Sequence, residues 1–275
     1  MKLNITTLKI LIFILFAATF EGSAQQKALA EAKLVVDSFS PKKDSIISIG
    51  VLINLKDDWH IYWRNPGDSG LPTDIEFTLP NGVVASEIKF PTPKIFSADE
   101  IINYGYDKEV LLISELTIPK NYSEQHLIIT AKITSLICKD LCKAFDTTLT
   151  LKINLSENYF AEKNITDLFN KARGLHPIKN HNIKITAVKK SNSVSLLLDK
   201  NLASGSEIKS FKFYPYQEVI FKNKVNQTSN ELENYLELIL EDDPFRIENP
   251  KEVKGIIILN EDNTKAYKIN IPIKD

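Results

Sequence analysis

The chain has 275 residues, 43% of them apolar and 25% charged, and its 34 basic and 35 acidic side chains leave a formal net charge of −1. That balance argues against a nucleic-acid partner and against a strongly basic membrane-binding surface. A chain of this length can bury one sizeable core, or two.

Lys2 and Lys9 flank a short polar start, and residues 10–20 then form an almost unbroken apolar run. The run has the length of a signal-peptide core and is too short to span a bilayer comfortably. Gly22-Ser23-Ala24 supplies small residues for cleavage before Gln25. The pattern predicts a signal peptide over residues 1–24, with an uncleaved membrane anchor as the alternative. Export would place the cysteines where disulfides persist. Losing Lys2, Lys9 and Glu21 takes the formal charge from −1 to −2. No later segment is apolar enough to cross a membrane, so the mature chain is expected to be soluble.

Short runs rich in Ile, Val, Leu, Thr and Tyr, separated by Asn, Asp, Pro and Lys clusters, read as an all-β protein. Strand candidates from 32 to 155 make a first block. Within it, Pro66-Gly67-Asp68-Ser69-Gly70 is dense turn chemistry, with glycines for positive φ and Asp or Ser to bond nearby amides. It predicts a rigid surface loop whose strand is anchored by Trp59 and Trp63. The plainer reading of the two tryptophans is sandwich core.

The two cysteines sit together as Cys138-Lys139-Asp140-Leu141-Cys142, between the alternating runs 127–137 and 145–155. On one straight strand their sulfurs would lie roughly 13 Å apart, at about 3.3 Å per residue. A hairpin with Lys139 to Leu141 as its loop sets Cys138 opposite Cys142, with Cα atoms about 4.5–5.5 Å apart and within disulfide range. In that register Ser135 meets Phe145, Ile133 meets Thr147, Ala131 meets Leu149, Ile129 meets Leu151 and Leu127 meets Ile153. The odd-numbered set is the more apolar and is assigned to the core face. Both cysteines belong to the even set, off that face and placed for exchange with another protein. Three-residue hairpin loops favour Gly at a left-handed position, and this loop has none. A structural disulfide is the bland alternative, although so small a ring contributes only about 2 kcal/mol in the chain-entropy model.

After Ser156 the apolar positions Phe160, Ile165, Leu168, Phe169 and Ala172 follow helical spacing to Arg173, with Ser156 as cap and Gly174 and Pro177 as stops. A second β series follows at 183–188, 194–198, 211–216, 219–225, 235–240, 255–259 and 267–273. Seven short strands in this space suit an immunoglobulin-like sandwich. The predicted layout is a signal peptide (1–24), a first sandwich (25–155), a helical linker (156–180) and a second sandwich (181–275).

The stretch Trp59-His60-Ile61-Tyr62-Trp63-Arg64-Asn65-Pro66-Gly67-Asp68-Ser69-Gly70-Leu71-Pro72 resembles a segment of the periplasmic N-terminal region of DsbD-like thiol–disulfide reductases, especially the ScsB-type branch. The likeness continues through Phe90-Pro91-Thr92-Pro93, Tyr104-Gly105-Tyr106, and Ser135-Leu136-Ile137-Cys138 with Cys142. It implies an immunoglobulin-like domain in the periplasm whose cysteine pair relays electrons from a membrane partner to exported thiol proteins. It also implies a cap loop over residues 99–106, in which Asp99, Glu100, Tyr104 and Tyr106 shield the cysteines; as a bland reading this is a surface loop. The DsbD N-terminal domain itself spaces its cysteines more widely, so the three-residue gap points to the ScsB-like branch.

There is no Cys-x-x-Cys and no following helix to depress a thiol pKa, and Lys139 and Lys143 could do so only weakly. This suits a carrier whose disulfide is attacked by others. The family's membrane and thioredoxin-like domains are absent from the sequence. That implies a membrane-embedded electron donor supplied by a separate protein, or a relay that has been lost. Thioredoxin-like or other exported thiol proteins would be the clients. His60, His126, His176 and His181 show no metal-ligand spacing. Both thiolates together could hold Cu(I), but no metal or cofactor is expected. The resulting expectation is mixed-disulfide exchange at Cys138 and Cys142, as a thiol–disulfide oxidoreductase. The rival is a non-enzymatic binding or scaffold module with a purely structural disulfide.

Overall fold

The computed structural model describes residues 28–40, 46–179, 183–202, 208–224, 226–260 and 265–275. The expected signal peptide and the cleavage position near Ala24 lie outside the described residues. The fold is all-β, built as two immunoglobulin-like sandwiches with one α-helix between them in sequence.

The first sandwich holds β1 (Ala30–Val36), β2 (Ile46–Leu55), β3 (His60–Gly67), β4 (Asp74–Thr78), β5 (Val84–Ala85), β6 (Lys94–Ala98), β7 (Ile101–Asp107), β8 (Glu109–Thr117), β9 (His126–Cys138) and β10 (Cys142–Asn154). One sheet runs β1-β2-β8-β5; the other runs β10-β9-β3-β7-β6, with β4 also paired to β9. Period-two alternation explains the core. Ile47, Ile49, Val51 and Ile53 of β2, and Leu127, Ile129, Ala131 and Ile133 of β9, are all fully buried between the sheets. Trp63 is core and Trp59 is half-buried at its edge.

Strand β2 reads as a nearly continuous apolar run because its other face is covered as well. Helix α1 (Lys163–Gly174) lays Phe169 and Ala172 on Val35, Leu52, Leu111 and Ile113. Gly50 makes the close approach possible: a Cβ there would stand 2.5 Å from Leu111 Cδ1 and 3.3 Å from Phe169 Cζ. The helix stops where expected but starts later than its spacing suggests, with Glu162 rather than Ser156 at the N-cap. Tyr159 forms an antiparallel bridge with Phe39 and stacks on its ring at 5.6 Å, while Ala161 N donates to Ser38 Oγ. These contacts hold residues 159–161 extended, and Phe160 points to solvent.

The second sandwich comprises β11 (Ile178–Lys179), β12 (Ile185–Lys189), β13 (Ser193–Asp199), β14 (Phe211–Pro215), β15 (Asn230–Glu231), β16 (Tyr235–Glu241), β17 (Glu252–Leu259) and β18 (Ala266–Lys274). Its strand order is β14-β17-β18-β12-β13-β16-β15, with β11 added to β18. Leu196, Leu198, Leu236 and Leu238 from one half meet Phe211, Phe213, Val253 and Ile257 from the other in a single core. The strand expected at 219–225 is replaced by a turn and one bridge, Phe221 to Asp242, with Val219 at a φ of 54°; Val225 lies outside the described residues.

The sheet half containing β14 and β17 is apolar on both faces for a reason. Phe213 and Ile257 point into the second core, whereas Tyr214, Ile256 and Ile258 join the first core, with Tyr216 packed beside them. The two sandwiches therefore meet across buried side chains.

Candidate redox site

Strands β9 and β10 pair in the expected register, from Leu127 with Ile153 to Cys138 with Cys142. The cysteines are disulfide-bonded, with Cα atoms 4.1 Å apart. No residue of the loop has positive φ, so the turn closes without the left-handed glycine that such loops favour.

The two sulfurs have different surroundings. Cys142 is exposed, whereas Cys138 is only 3% exposed. Alternation puts Cys138 off the core face as expected, and its burial comes from what covers that face. Tyr62 of β3 donates its hydroxyl to Cys138 Sγ at 2.9 Å and lies 3.6 Å from Cys142 Sγ. Burial raises the Tyr62 pKa, with Ser69 pulling it down in part, so at neutral pH the phenol keeps its proton and acts as a donor.

Tyr62 is itself pressed into place. Gly70 lies against its ring, where a Cβ would stand 2.3 Å from Cζ. Thr73 Oγ1 donates to the Tyr62 carbonyl at 2.6 Å and lies 2.9 Å from Ser135 Oγ. Gly67, at a φ of 94°, turns the chain over Ile102 and Asn103. The Pro-Gly-Asp-Ser-Gly stretch is thus the cover of the site, through Tyr62.

His60 sits directly across from Cys138, between β9 and β7. Its ring stacks on Phe96 at 4.5 Å and meets the Tyr62 ring edge-on at 5.3 Å. Burial lowers its pKa, with Asp107 opposing, and its Nε2 has no hydrogen-bond partner. The imidazole is therefore neutral at physiological pH.

The residues of the expected cap loop lie elsewhere. Tyr106 pairs with Ile61 and is buried in the core, its hydroxyl on the Pro91 carbonyl at 2.7 Å. Tyr104 packs edge-on to Trp63 and against Tyr214 at 5.1 Å. Strand alternation puts both tyrosines on the face opposite the disulfide. Asp99 and Glu100 form the exposed turn between β6 and β7, at the end of β7 away from Asp107 and His60. The aromatic cover comes from Tyr62, with His60 and Phe96 beside it. The sequence signals only their face: His60 and Tyr62 alternate with the core residues Ile61 and Trp63.

The hairpin tip presents Leu141, 76% exposed, next to Cys142. Lys139 is engaged with Asp58 at 3.0 Å, and Lys143 sits 5.8 Å over the Trp59 ring. Both lysines thus have partners other than a thiolate. Among the described residues no cluster of His, Cys, Asp and Glu could hold a metal ion.

Residues 25–154 match the family described as thiol:disulfide interchange protein DsbD, N-terminal. This part of the chain belongs to the DsbD N-terminal family. The matched segment ends with the last residue of β10, so it takes in the whole first sandwich and the disulfide. Among solved structures, the N-terminal periplasmic domain of ScsB from Proteus mirabilis aligns at a TM-score of 0.63 with 19% identity, covering 91% of this chain and 96% of that one. At that identity the likeness is one of fold, and it extends beyond the DsbD N-terminal segment into the second sandwich. The major pilin BcpA of Bacillus cereus is more distant, with a TM-score of 0.27 and 11% identity over 90% of this chain and 68% of that one. No curated protein matches the sequence. The first sandwich is thus assigned to a thiol–disulfide interchange family, whose domains work with partner thiol proteins. No helix among its described residues is long and apolar enough to cross a membrane.

Proposed function

We propose that this protein is exported to the periplasm and relays electrons through Cys138 and Cys142 by mixed-disulfide exchange. The observation that carries this reading is the asymmetry of the bond: one sulfur is open to an incoming thiol, and the other is buried on a hydroxyl donor. The apolar run at 10–20 and the cysteine pair support the compartment.

A donor thiolate attacks Cys142 Sγ, the Cys138–Cys142 bond breaks, and Cys138 leaves with the electron pair as a thiolate. The Tyr62 hydroxyl is already placed to bond that thiolate, and hydrogen bonds to ionised groups are the stronger ones. A second donor thiolate then attacks the donor sulfur of the mixed disulfide and expels Cys142. The donor is left oxidised, and the pair gains two electrons and takes up two protons. In the second half, Cys142 thiolate attacks a client disulfide and Cys138 resolves the intermediate. A membrane-embedded thiol donor and exported thioredoxin-like or other thiol clients fit this chemistry.

The test is trapping. Cys138→Ser removes the resolving thiol and leaves Cys142 exposed, so it should accumulate mixed disulfides, seen as mass-shifted bands on non-reducing gels of cell envelopes. Cys142→Ser should trap far less, because its remaining sulfur is covered. If neither variant traps a partner, the disulfide is structural and the relay is refuted.

A further inference from the structure

The loop that covers Tyr62 is tied down from the second sandwich. Asn65, only 1% exposed, donates to the carbonyls of Pro215 at 2.8 Å and Gln217 at 3.2 Å, and its own Oδ1 accepts from Gly67 N at 2.9 Å. One turn further along, Asn223 Nδ2 donates to Asp68 Oδ1 at 2.7 Å. Asp68 Oδ2 accepts from Ile102 N at 2.7 Å, which fixes the carboxylate to β7. Asn223 is held in turn by the Tyr104 hydroxyl, which donates to its Oδ1 at 3.0 Å. Ser69 is anchored to Asn103 Oδ1 through its amide at 3.1 Å and its hydroxyl at 3.2 Å. The next residue, Gly70, is the one that presses on the Tyr62 ring.

We propose that the second sandwich is a working part of the redox site. Asn223 is a positioning residue that acts through Asp68, holding residues 67–70 down on Tyr62 and so keeping its hydroxyl on the Cys138 sulfur. The chain of contacts runs Asn223, Asp68, Gly70, Tyr62, Cys138, and each neighbouring step is a hydrogen bond, a short backbone link or a van der Waals contact. The two hydrogen bonds of Asn223 explain the choice of residue. Asn223 must donate to a carboxylate and accept from a phenol at once, and an amide side chain can do both.

The energetic consequence falls on the reduced state. A hydroxyl bonds a thiolate more strongly than a disulfide sulfur, so a well-held Tyr62 favours reduction. The proposal rests on the exchange reading for its meaning, but its test needs no cellular partner and would stand if trapping failed. The intact protein is equilibrated with glutathione buffers and the reduced fraction measured in the wild type, Tyr62→Phe, Asn223→Asp and the Tyr62→Phe/Asn223→Asp double variant. Tyr62→Phe should shift the equilibrium toward the disulfide roughly two- to tenfold, the size of one net hydrogen bond. Asn223→Asp, which keeps the acceptor for Tyr104 but sets two carboxylates together, should shift it the same way by a smaller factor. That shift should vanish when Tyr62 is already Phe, because the two act in series. It should also grow from about pH 7 to about pH 9, across the ordinary thiol pKa of about 8.5.

Asp68→Asn/Asn223→Asp exchanges donor and acceptor, still lets residue 68 accept from Ile102 N, and should restore the wild-type equilibrium. Asn223→Ala, which adds no charge, carries the comparison if Asn223→Asp does not fold. An equilibrium unchanged by either Asn223 variant would overturn the proposal. So would an equal shift with and without the Tyr62 hydroxyl.

Discussion

Cys138 and Cys142 share one bond but stand in different media. Cys142 faces water beside Leu141 at the tip of the hairpin, and Cys138 lies under Tyr62 with a hydroxyl proton directed at its sulfur. The bond closes a ring too small to restrain the unfolded chain much, about 2 kcal/mol in the entropy model. Two cores hold the fold without it. Cys138→Ser/Cys142→Ser should therefore stay folded, with a melting temperature lower by about 4–8 °C for a chain of this size. Loss of the cooperative transition in a thermal melt would show that the bridge is a structural staple. The cysteine register was legible because a hairpin loop at Lys139 to Leu141 sets Cys138 opposite Cys142, and alternation then puts Leu127, Ile129, Ala131 and Ile133 together on the core face. The covering residue was not, because alternation tells which face Tyr62 occupies and is silent on what lies over that face.

At the level of elements, β14 shows how an edge can be finished without a strand. It pairs with β17 on one side only. On the other side Gln227 stands in for a ladder: Phe213 N donates to its Oε1 at 2.7 Å, and its Nε2 donates to the Phe213 carbonyl at 2.8 Å. Ser229 does the same for both backbone groups of Phe211, at 3.1 Å each. Gln227→Ala leaves two partly buried backbone groups unpaired and should cost roughly 1–3 kcal/mol, read as a lower urea midpoint. An unchanged midpoint would mean that water replaces the side chain freely. Strands β14 and β17 were readable as apolar runs. Their two-sided burial was not, because only packing assigns Tyr214 and Ile256 to the first sandwich and Phe213 and Ile257 to the second. The early part of the helix failed for the opposite reason. Phe160 keeps helical spacing, but the bridge of Tyr159 to Phe39 is a long-range contact that local periodicity does not carry.

Over the whole molecule, the chain passes from the helix to the second sandwich at His176. Leu175 accepts hydrogen bonds from Thr92 N and Oγ1, both at 2.9 Å, and β11 then joins β18 beside Lys268. His176 is thereby enclosed by both sandwiches. Its pKa is pushed down to about 4, first by burial, then by the charges of Lys89 and Lys268 and, more weakly, Arg173, while a hydrogen bond to the Lys89 backbone opposes them. In the unfolded chain the same imidazole titrates near about 6.5. Between those values the unfolded state binds more protons than the native one, so stability rises with pH across this window. It is complete above about pH 6.5 and is lost as pH falls toward 4. The lowered pKa of His60 adds to the loss with the same sign. Salt-bridged carboxylates such as Glu241, whose pKa is lowered chiefly by its bond to Lys224, lose their contribution further toward acid. His176→Gln cannot take up the proton and should flatten the decline of melting temperature between pH 6.5 and pH 4. The readout is the difference in slope between variant and wild type, which a uniform loss of stability would not change. Parallel slopes would show that folding does not lower the His176 pKa, and the acid sensitivity would then belong to the carboxylates and His60.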